Sequence, residues 1–278
     1  MQSCAVVGSG RMGAGIAHAL LLTGASVTVI EATQELGEAG RERVAALVND
    51  SAVRETLTQA VSEVLARLTC GVGAQAAAGS DLVVEAVPED PALKVSVLAD
   101  IEAVVDQTCM IATNTSSISV TELAAALDRP ERFIGLHFFN PVPASALVEI
   151  VVGVQTSNAS VDAARAVVDS MGKTAIVVRD SPGFASSRLG VLLGLEAIRM
   201  VEEGVASPAD IDAAMTLGYK HPMGPLRLTD LVGLDVRLGV AEYLAAVLGD
   251  RFSPPQLMRD MVARGELGKK SGRGFYDW

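Results

Sequence analysis

Several residues of this chain have types and spacings that could carry chemistry. Gly8-Ser9-Gly10-Arg11-Met12-Gly13 forms a G-x-G-x-x-G pattern. In that pattern the first glycine permits a tight turn and the second brings the backbone close to a pyrophosphate. The third lets the following helix lie close on the preceding strand. Small residues could equally serve helix packing in a chain so rich in Ala and Gly. The position of this cluster between a strand and a helix favours a dinucleotide, expected to bind at Gly8, Gly10, Arg11, Met12 and Gly13. Glu31 directly follows the next strand-like stretch. A carboxylate there accepts hydrogen bonds from adenosine ribose hydroxyls and repels a 2′-phosphate, which argues for NAD over NADP.

His137 ends the stretch Phe133-Ile134-Gly135-Leu136, and Ser116 follows the stretch Met110 to Thr113. Both therefore sit at strand carboxyl ends, where open α/β sheets bind ligands. A neutral imidazole so placed could take the proton of an alcohol as hydride leaves for a nicotinamide. Glu149, on the next strand-like stretch, could fix the imidazole tautomer and stabilise the imidazolium. Residue type alone leaves the bland alternative open, because buried hydrogen-bonded histidines are common. His18, in mid-helix, and His221, before Pro222 in a turn, read as structural.

The elements that must hold these residues alternate. Strands are expected at Cys4–Val7, Ser26–Ile30, Leu82–Ala86, Met110–Thr113, Phe133–His137, Ala146–Val152 and Thr174–Val178. Between them fall helices at Arg11–Leu22, Gln34–Val48, Val53–Leu65, Ala92–Val105, Val120–Leu127 and one from Ser160. Such alternation implies a parallel sheet covered on both faces. After Ser181-Pro182-Gly183 only helical periodicity remains: Phe184–Glu203, a helix opened by Ser207-Pro208 and closed at Gly218, Thr229–Leu248, and one opened by Ser253-Pro254-Pro255. The fold class is thus α/β, with a Rossmann-type dinucleotide-binding domain over residues 1–182 and an all-helical domain over 183–278.

Composition agrees with this class. The chain has 278 residues, 50% of them hydrophobic and 4% aromatic, enough for two cores built from small side chains. A formal net charge of -11 disfavours nucleic acid and anionic membranes as partners. Cys4, Cys70 and Cys109 have no metal-knuckle or disulfide-framework spacing, so a reducing compartment and structural thiols are expected, with no metal. Met1-Gln2-Ser3 leads straight into a strand and no apolar run spans a bilayer, so a cytoplasmic protein is expected.

Six longer motifs go further. They are Asn114-Thr115-Ser116-Ser117, Gly135-Leu136-His137-Phe138-Phe139-Asn140-Pro141-Val142-Pro143, Leu147-Val148-Glu149-Ile150, Asp180-Ser181-Pro182-Gly183-Phe184, His221-Pro222-Met223-Gly224-Pro225, and Gly268 to Tyr276. In that order, end to end, the chain closely resembles the 3-hydroxyacyl-CoA dehydrogenases, especially the short-chain 3-hydroxybutyryl-CoA type. The resemblance implies NAD-dependent oxidation of an (S)-3-hydroxyacyl-CoA to the 3-oxoacyl-CoA in fatty acid metabolism. It implies His137 as general base, Glu149 paired with it, and Ser116 on the reacting oxygen. Glu89, Lys94 and Asn114 match positions near the nicotinamide, Asn140 and Arg54 are expected substrate contacts, and a homodimer through the helical domain is implied.

Two departures stand out. Ser187 occupies the place of the family's asparagine before Arg188, giving a shorter side chain with one hydroxyl where an amide both donates and accepts. Between Gln34 and Leu65 the family's CoA-binding lysines are absent, and Arg41, Arg43 and Arg54 are the cations present. Arginine is a competent phosphate ligand. An acyl-carrier-protein thioester, a free hydroxy or sugar acid, and a non-catalytic NAD-binding protein remain open at this level.

Overall fold

The computed structural model describes residues 1–278 and divides into two compact units, Met1–Ser181 and Pro182–Trp278. The first unit is built on an eight-stranded sheet. Its strands are β1 (Ser3–Val7), β2 (Ser26–Glu31), β3 (Leu68–Val72), β4 (Leu82–Glu85), β5 (Met110–Thr113), β6 (Phe133–Phe138), β7 (Leu147–Val152) and β8 (Thr174–Arg179). The helices between them are α1 (Arg11–Leu22), α2 (Gln34–Val53), α3 (Val61–Leu65), α4 (Pro91–Glu102), α5 (Val120–Ala124) and α6 (Asn158–Ser170). Side-chain oxygens start four of these helices: Thr33, Asp90, Ser119 and Ser157 each accept a first-turn N–H.

The strand order is β3-β2-β1-β4-β5-β6-β7-β8. β1 to β6 run parallel, so their carboxyl ends share one edge, and the order reverses between β1 and β4. That switch point is where open α/β sheets take dinucleotides. Val6, Val29, Val84, Ala112 and Ile134 from the sheet pack with Ile16, Leu20, Val44 and Val48 of α1 and α2 in one core.

Three sequence expectations change. The expected all-parallel sheet is mixed, because β7 runs antiparallel to β6. The connection, residues 139–146, contains no helix and is shorter than the dozen or so residues a parallel crossover needs. The expected helix from Val53 to Leu65 is instead the last residue of α2, a turn and the short α3, and it is followed by β3, which was not anticipated. β3 is an edge strand interrupted by Gly71, so neither propensity nor alternation marks it. The expected helix Thr229–Leu248 is two helices, broken at Gly233, whose φ of 108° lies outside any helical conformation.

The second unit contains α7 (Ser186–Glu202), α8 (Pro208–Ala213), α9 (Pro225–Val232), α10 (Leu234–Leu248) and α11 (Gln256–Ala263). Val191, Leu195, Ile198, Leu226, Leu244, Phe252 and Met258 form its core. Two buried carboxylates fasten the chain around it. Asp212 accepts from Leu226 N (2.8 Å), Arg227 N (2.9 Å) and the Tyr276 hydroxyl (2.7 Å). Asp230 accepts from Phe275 N (3.0 Å), Tyr276 N (2.9 Å) and Trp278 Nε1 (2.9 Å). The Arg227 guanidinium lies 4.9 Å from the Trp278 ring centroid and 5.3 Å from that of Tyr276, within cation–π range. No helix in either unit is long and apolar enough to cross a membrane.

Candidate active site

The glycine loop links β1 to α1 at the switch point. Gly8 has φ 90°, and a Cβ on Gly13 would lie 1.8 Å from the Gly8 carbonyl oxygen, so the turn and the close approach of α1 both require glycine. A Cβ on Gly10, by contrast, would meet no atom within 4 Å, so this loop face is open to a ligand. The N-terminus of α1 presents its unpaired N–H groups there, as pyrophosphate binding requires. Arg11 is exposed and Met12 half-buried beside it.

Glu31, the last residue of β2, turns back to this loop. Its Oε1 accepts from Ser9 N (2.5 Å) and Ser9 Oγ (2.6 Å), which orients the carboxylate and leaves Oε2 for ribose hydroxyls. Arg43, on α2, donates from Nε to Ser9 O (2.9 Å) and from Nη2 to Ser9 Oγ (3.2 Å). This guanidinium is therefore engaged with the glycine loop, and Arg41 and Arg54 are the exposed cations left on α2 and at its end. The loop, the helix end and the acid together fit a dinucleotide whose ribose carries no phosphate.

At the carboxyl end of β6, His137 stands opposite Glu149 of the antiparallel β7 in the strand register. His137 Nδ1 lies 2.7 Å from Glu149 Oε2, with the glutamate fully buried and the histidine 6% exposed. A carboxylate only accepts, so Nδ1 carries the proton and Nε2 is the basic nitrogen of the neutral ring. The Phe139 ring packs 4.5 Å from the imidazole, centroid to centroid. Asn114, just beyond β5, accepts from Phe138 N through Oδ1 (2.9 Å), extending the β5–β6 pairing by one side chain.

The loops after β4 and β5 meet at Glu89. Its Oε1 accepts from Thr115 Oγ1 (2.6 Å), Ser116 N (2.9 Å) and Ser117 N (3.2 Å), with Ser116 Oγ at 3.4 Å. Lys94 Nζ is 3.3 Å from Glu89 Oε2 and 2.7 Å from Glu85 Oε1. Burial pushes the Glu89 carboxyl upward, but the Thr115 hydrogen bond and the Lys94 charge outweigh it and hold the group below the usual carboxylate range. Glu89 thus keeps its charge at neutral pH and fixes the backbone at Ser116.

Gly8, Gly10, Gly13 and Glu31 come together in one place, as do Ser116 with Glu89 and Lys94, and Asn114 with the end of β6. Asn140 is exposed in the β6–β7 connection, and Arg54 is exposed at the end of α2. Ser187 belongs to the second unit, in the first turn of α7. Glu85 and Thr115 were missed in the sequence, although an acid within the apolar run Leu82 to Val87 is itself a signal, since buried carboxylates need partners. His18 Nε2 is 2.8 Å from Ser51 Oγ, and burial pushes its imidazole down to about 4, so it stays neutral inside the unit. Burial likewise pushes the Cys4 thiol up to about 12 and that of Cys109 up to about 11, which makes both unreactive.

Comparison with known proteins decides the family. Residues 3–181 match the 3-hydroxyacyl-CoA dehydrogenase, NAD binding domain, and residues 183–278 match the 3-hydroxyacyl-CoA dehydrogenase, C-terminal domain. The chain belongs to the 3-hydroxyacyl-CoA dehydrogenase family. A probable 3-hydroxybutyryl-CoA dehydrogenase of Bacillus subtilis is 42% identical over 275 residues, covering 98% of this chain and 96% of the relative. The 3-hydroxybutyryl-CoA dehydrogenase of Mycobacterium tuberculosis H37Rv is 40% identical over 282 residues, covering 100% and 99%. The crystal structure of (S)-3-hydroxybutyryl-CoA dehydrogenase from Ralstonia eutropha superposes with a TM-score of 0.95 at 42% identity, covering 100% of this chain and 99% of that one. The cofactor of this family member is NAD, in keeping with the carboxylate at Glu31.

Proposed function

We propose that this family member oxidises (S)-3-hydroxyacyl-CoA, of short chain such as 3-hydroxybutyryl-CoA, to the 3-oxoacyl-CoA, with His137 as general base. The observation that carries this reading is the buried 2.7 Å contact between His137 and Glu149 at the sheet edge that also carries the glycine loop. Gly8 to Gly13 and Glu31 would hold NAD, with Glu89 and Asn114 beside its nicotinamide half, and the bound cofactor would supply the hydride acceptor. Ser116 Oγ holds the substrate oxygen, and Glu89 holds Ser116 through its backbone N–H. His137 Nε2 takes the hydroxyl proton, and the Glu149 carboxylate stabilises the imidazolium that results. Asn140, Arg54 and Ser187 contact the acyl-CoA.

An assay at 340 nm with acetoacetyl-CoA and NADH tests the activity in the reductive direction. Rapid loss of absorbance with NADH and not with NADPH is expected. Silence from a folded, NADH-binding protein would direct attention to another acyl carrier. Replacing Glu149 by Gln removes the negative charge beside the imidazole while keeping its volume. The acidic limb of the oxidation profile is then expected to move to lower pH, because an imidazolium without its counter-charge loses its proton more readily. An unmoved limb would separate Glu149 from the base.

Ser187→Asn restores the amide that the family places before Arg188. A rise in rate on at least one acyl-CoA, up to about 10²-fold, is expected if the serine only partly replaces that donor. A rate unchanged or lower on every acyl-CoA would mean that the site is built for something else. We also propose that the second unit pairs two copies of the chain, because Leu189, Leu193, Leu231, Val236 and Val247 leave an apolar surface on α7, α9 and α10. Light scattering at twice the chain mass of 28.8 kDa checks it. The three unpaired cysteines suit a reducing compartment, and the cytoplasm is the proposed location.

A further inference from the structure

Glu85, the last residue of β4, takes no part in the reaction proposed above, yet it is fully buried and fully engaged. Its Oε1 accepts from Lys94 Nζ (2.7 Å) and Val87 N (2.7 Å), and its Oε2 from Thr113 Oγ1 (2.6 Å). Lys94 is only 1% exposed and also pairs with Glu89. Two carboxylates therefore share one ammonium, and the cluster carries a formal charge of minus one. Glu85 and Lys94 are buried while the Glu89 side chain is 36% exposed, and burying Glu85 as a further carboxylate is a cost that an apolar residue at position 85 would avoid.

In this strand order, with the adenosine ribose at Glu31 after β2, the other half of the dinucleotide falls over the ends of β4 and β5. Those ends carry Glu85, Thr113 and the loops holding Glu89 and Ser116. The oxidised nicotinamide ring bears a positive charge and the reduced ring does not. We infer that Glu85 is a positioning residue that anchors Lys94 and Glu89, and that the surplus negative charge of this trio makes the site prefer oxidised to reduced cofactor. This rests on the reading that Glu89 and Asn114 flank the nicotinamide.

Glu85→Gln removes the surplus charge and keeps the shape. The amide oxygen can accept from Val87 N and Lys94 Nζ, and the amide nitrogen can donate to Thr113 Oγ1. Titration of NADH by fluorescence and of NAD by competition is expected to show the ratio of the NAD Kd to the NADH Kd rising about five-fold, an order-of-magnitude Coulomb effect. Thr113→Val keeps the charge, drops the hydrogen bond its hydroxyl donates to Glu85 Oε2 and the one it accepts from Thr115 N, and is expected to leave the ratio unchanged. An unchanged ratio in folded Glu85→Gln overturns the inference, and so does an equal shift in Thr113→Val, which would mark a merely structural role. Glu89→Gln removes one charge from the same trio, and its ratio decides the matter if Glu85→Gln does not fold. If Glu89→Gln and Glu85→Gln both leave the two affinities untouched, the placement of the nicotinamide fails as well. If only Glu85→Gln is silent, the inference alone fails.

Discussion

His137→Ala is expected to lower kcat on 3-hydroxybutyryl-CoA by about 10³-fold, within the range general bases supply, while leaving NADH affinity nearly intact. The selectivity follows from the fold. The histidine stands on β6, at the far side of the switch point from β2 and Glu31, and its polar partner is Glu149 on β7. Removing the imidazole therefore takes away the proposed proton acceptor without touching the glycine loop. It also leaves the Glu149 carboxylate buried without that partner. The companion measurement is the melting temperature, because a drop in stability alone would lower the active fraction and not the turnover of folded molecules. Full activity in the folded variant would end the base assignment.

Asp230→Ala is expected to cost about 3 kcal/mol of stability, since three donors lose their acceptor in a buried place. The three donors all belong to the last residues, Phe275, Tyr276 and Trp278. The chain has a single tryptophan, so the fluorescence of Trp278 reports its release directly. Urea unfolding followed at that wavelength should show an early transition in the variant. A loss under about 1 kcal/mol, the worth of a single ordinary hydrogen bond, with the Trp278 emission unchanged, would mean that Arg227 stacking and apolar burial hold the terminus without the carboxylate.

Much of this was legible in the residues. The glycine loop, Glu31, the ends of β5 and β6, and the change from alternating elements to helices all follow from local patterns that tertiary contacts reinforce. What was not legible depends on partners distant in sequence. β3 forms because β2 offers it a parallel edge, and its own residues advertise nothing. The break at Gly233 interrupts a pattern whose apolar spacing runs on undisturbed, so periodicity could not reveal it. Thr115 reads as an ordinary turn residue until Glu89, 26 positions away, is seen to gather the loop around one oxygen. By type Arg43 suits a phosphate ligand as well as a solvated charged face, and only the three-dimensional contact with Ser9 shows where its donors go.

The antiparallel turn from β6 to β7 has a consequence for how such a site can diversify. His137 and Glu149 are directly opposed on adjacent strands, so their alignment is inherited from the sheet register, and a one-residue slip of either strand would turn its own side chain to the other face. The segment that joins them, residues 139–146, lies outside the ladder and carries the exposed Asn140. Its Phe139 packs on the imidazole and its Val142 lies in the core, so variation falls on its exposed positions, Asn140 among them, while the ladder keeps His137 and Glu149 aligned. On the proposed mechanism, substrate contacts and acid–base chemistry are separated within a single hairpin, so exposed positions of the connection can change without disturbing the opposed pair.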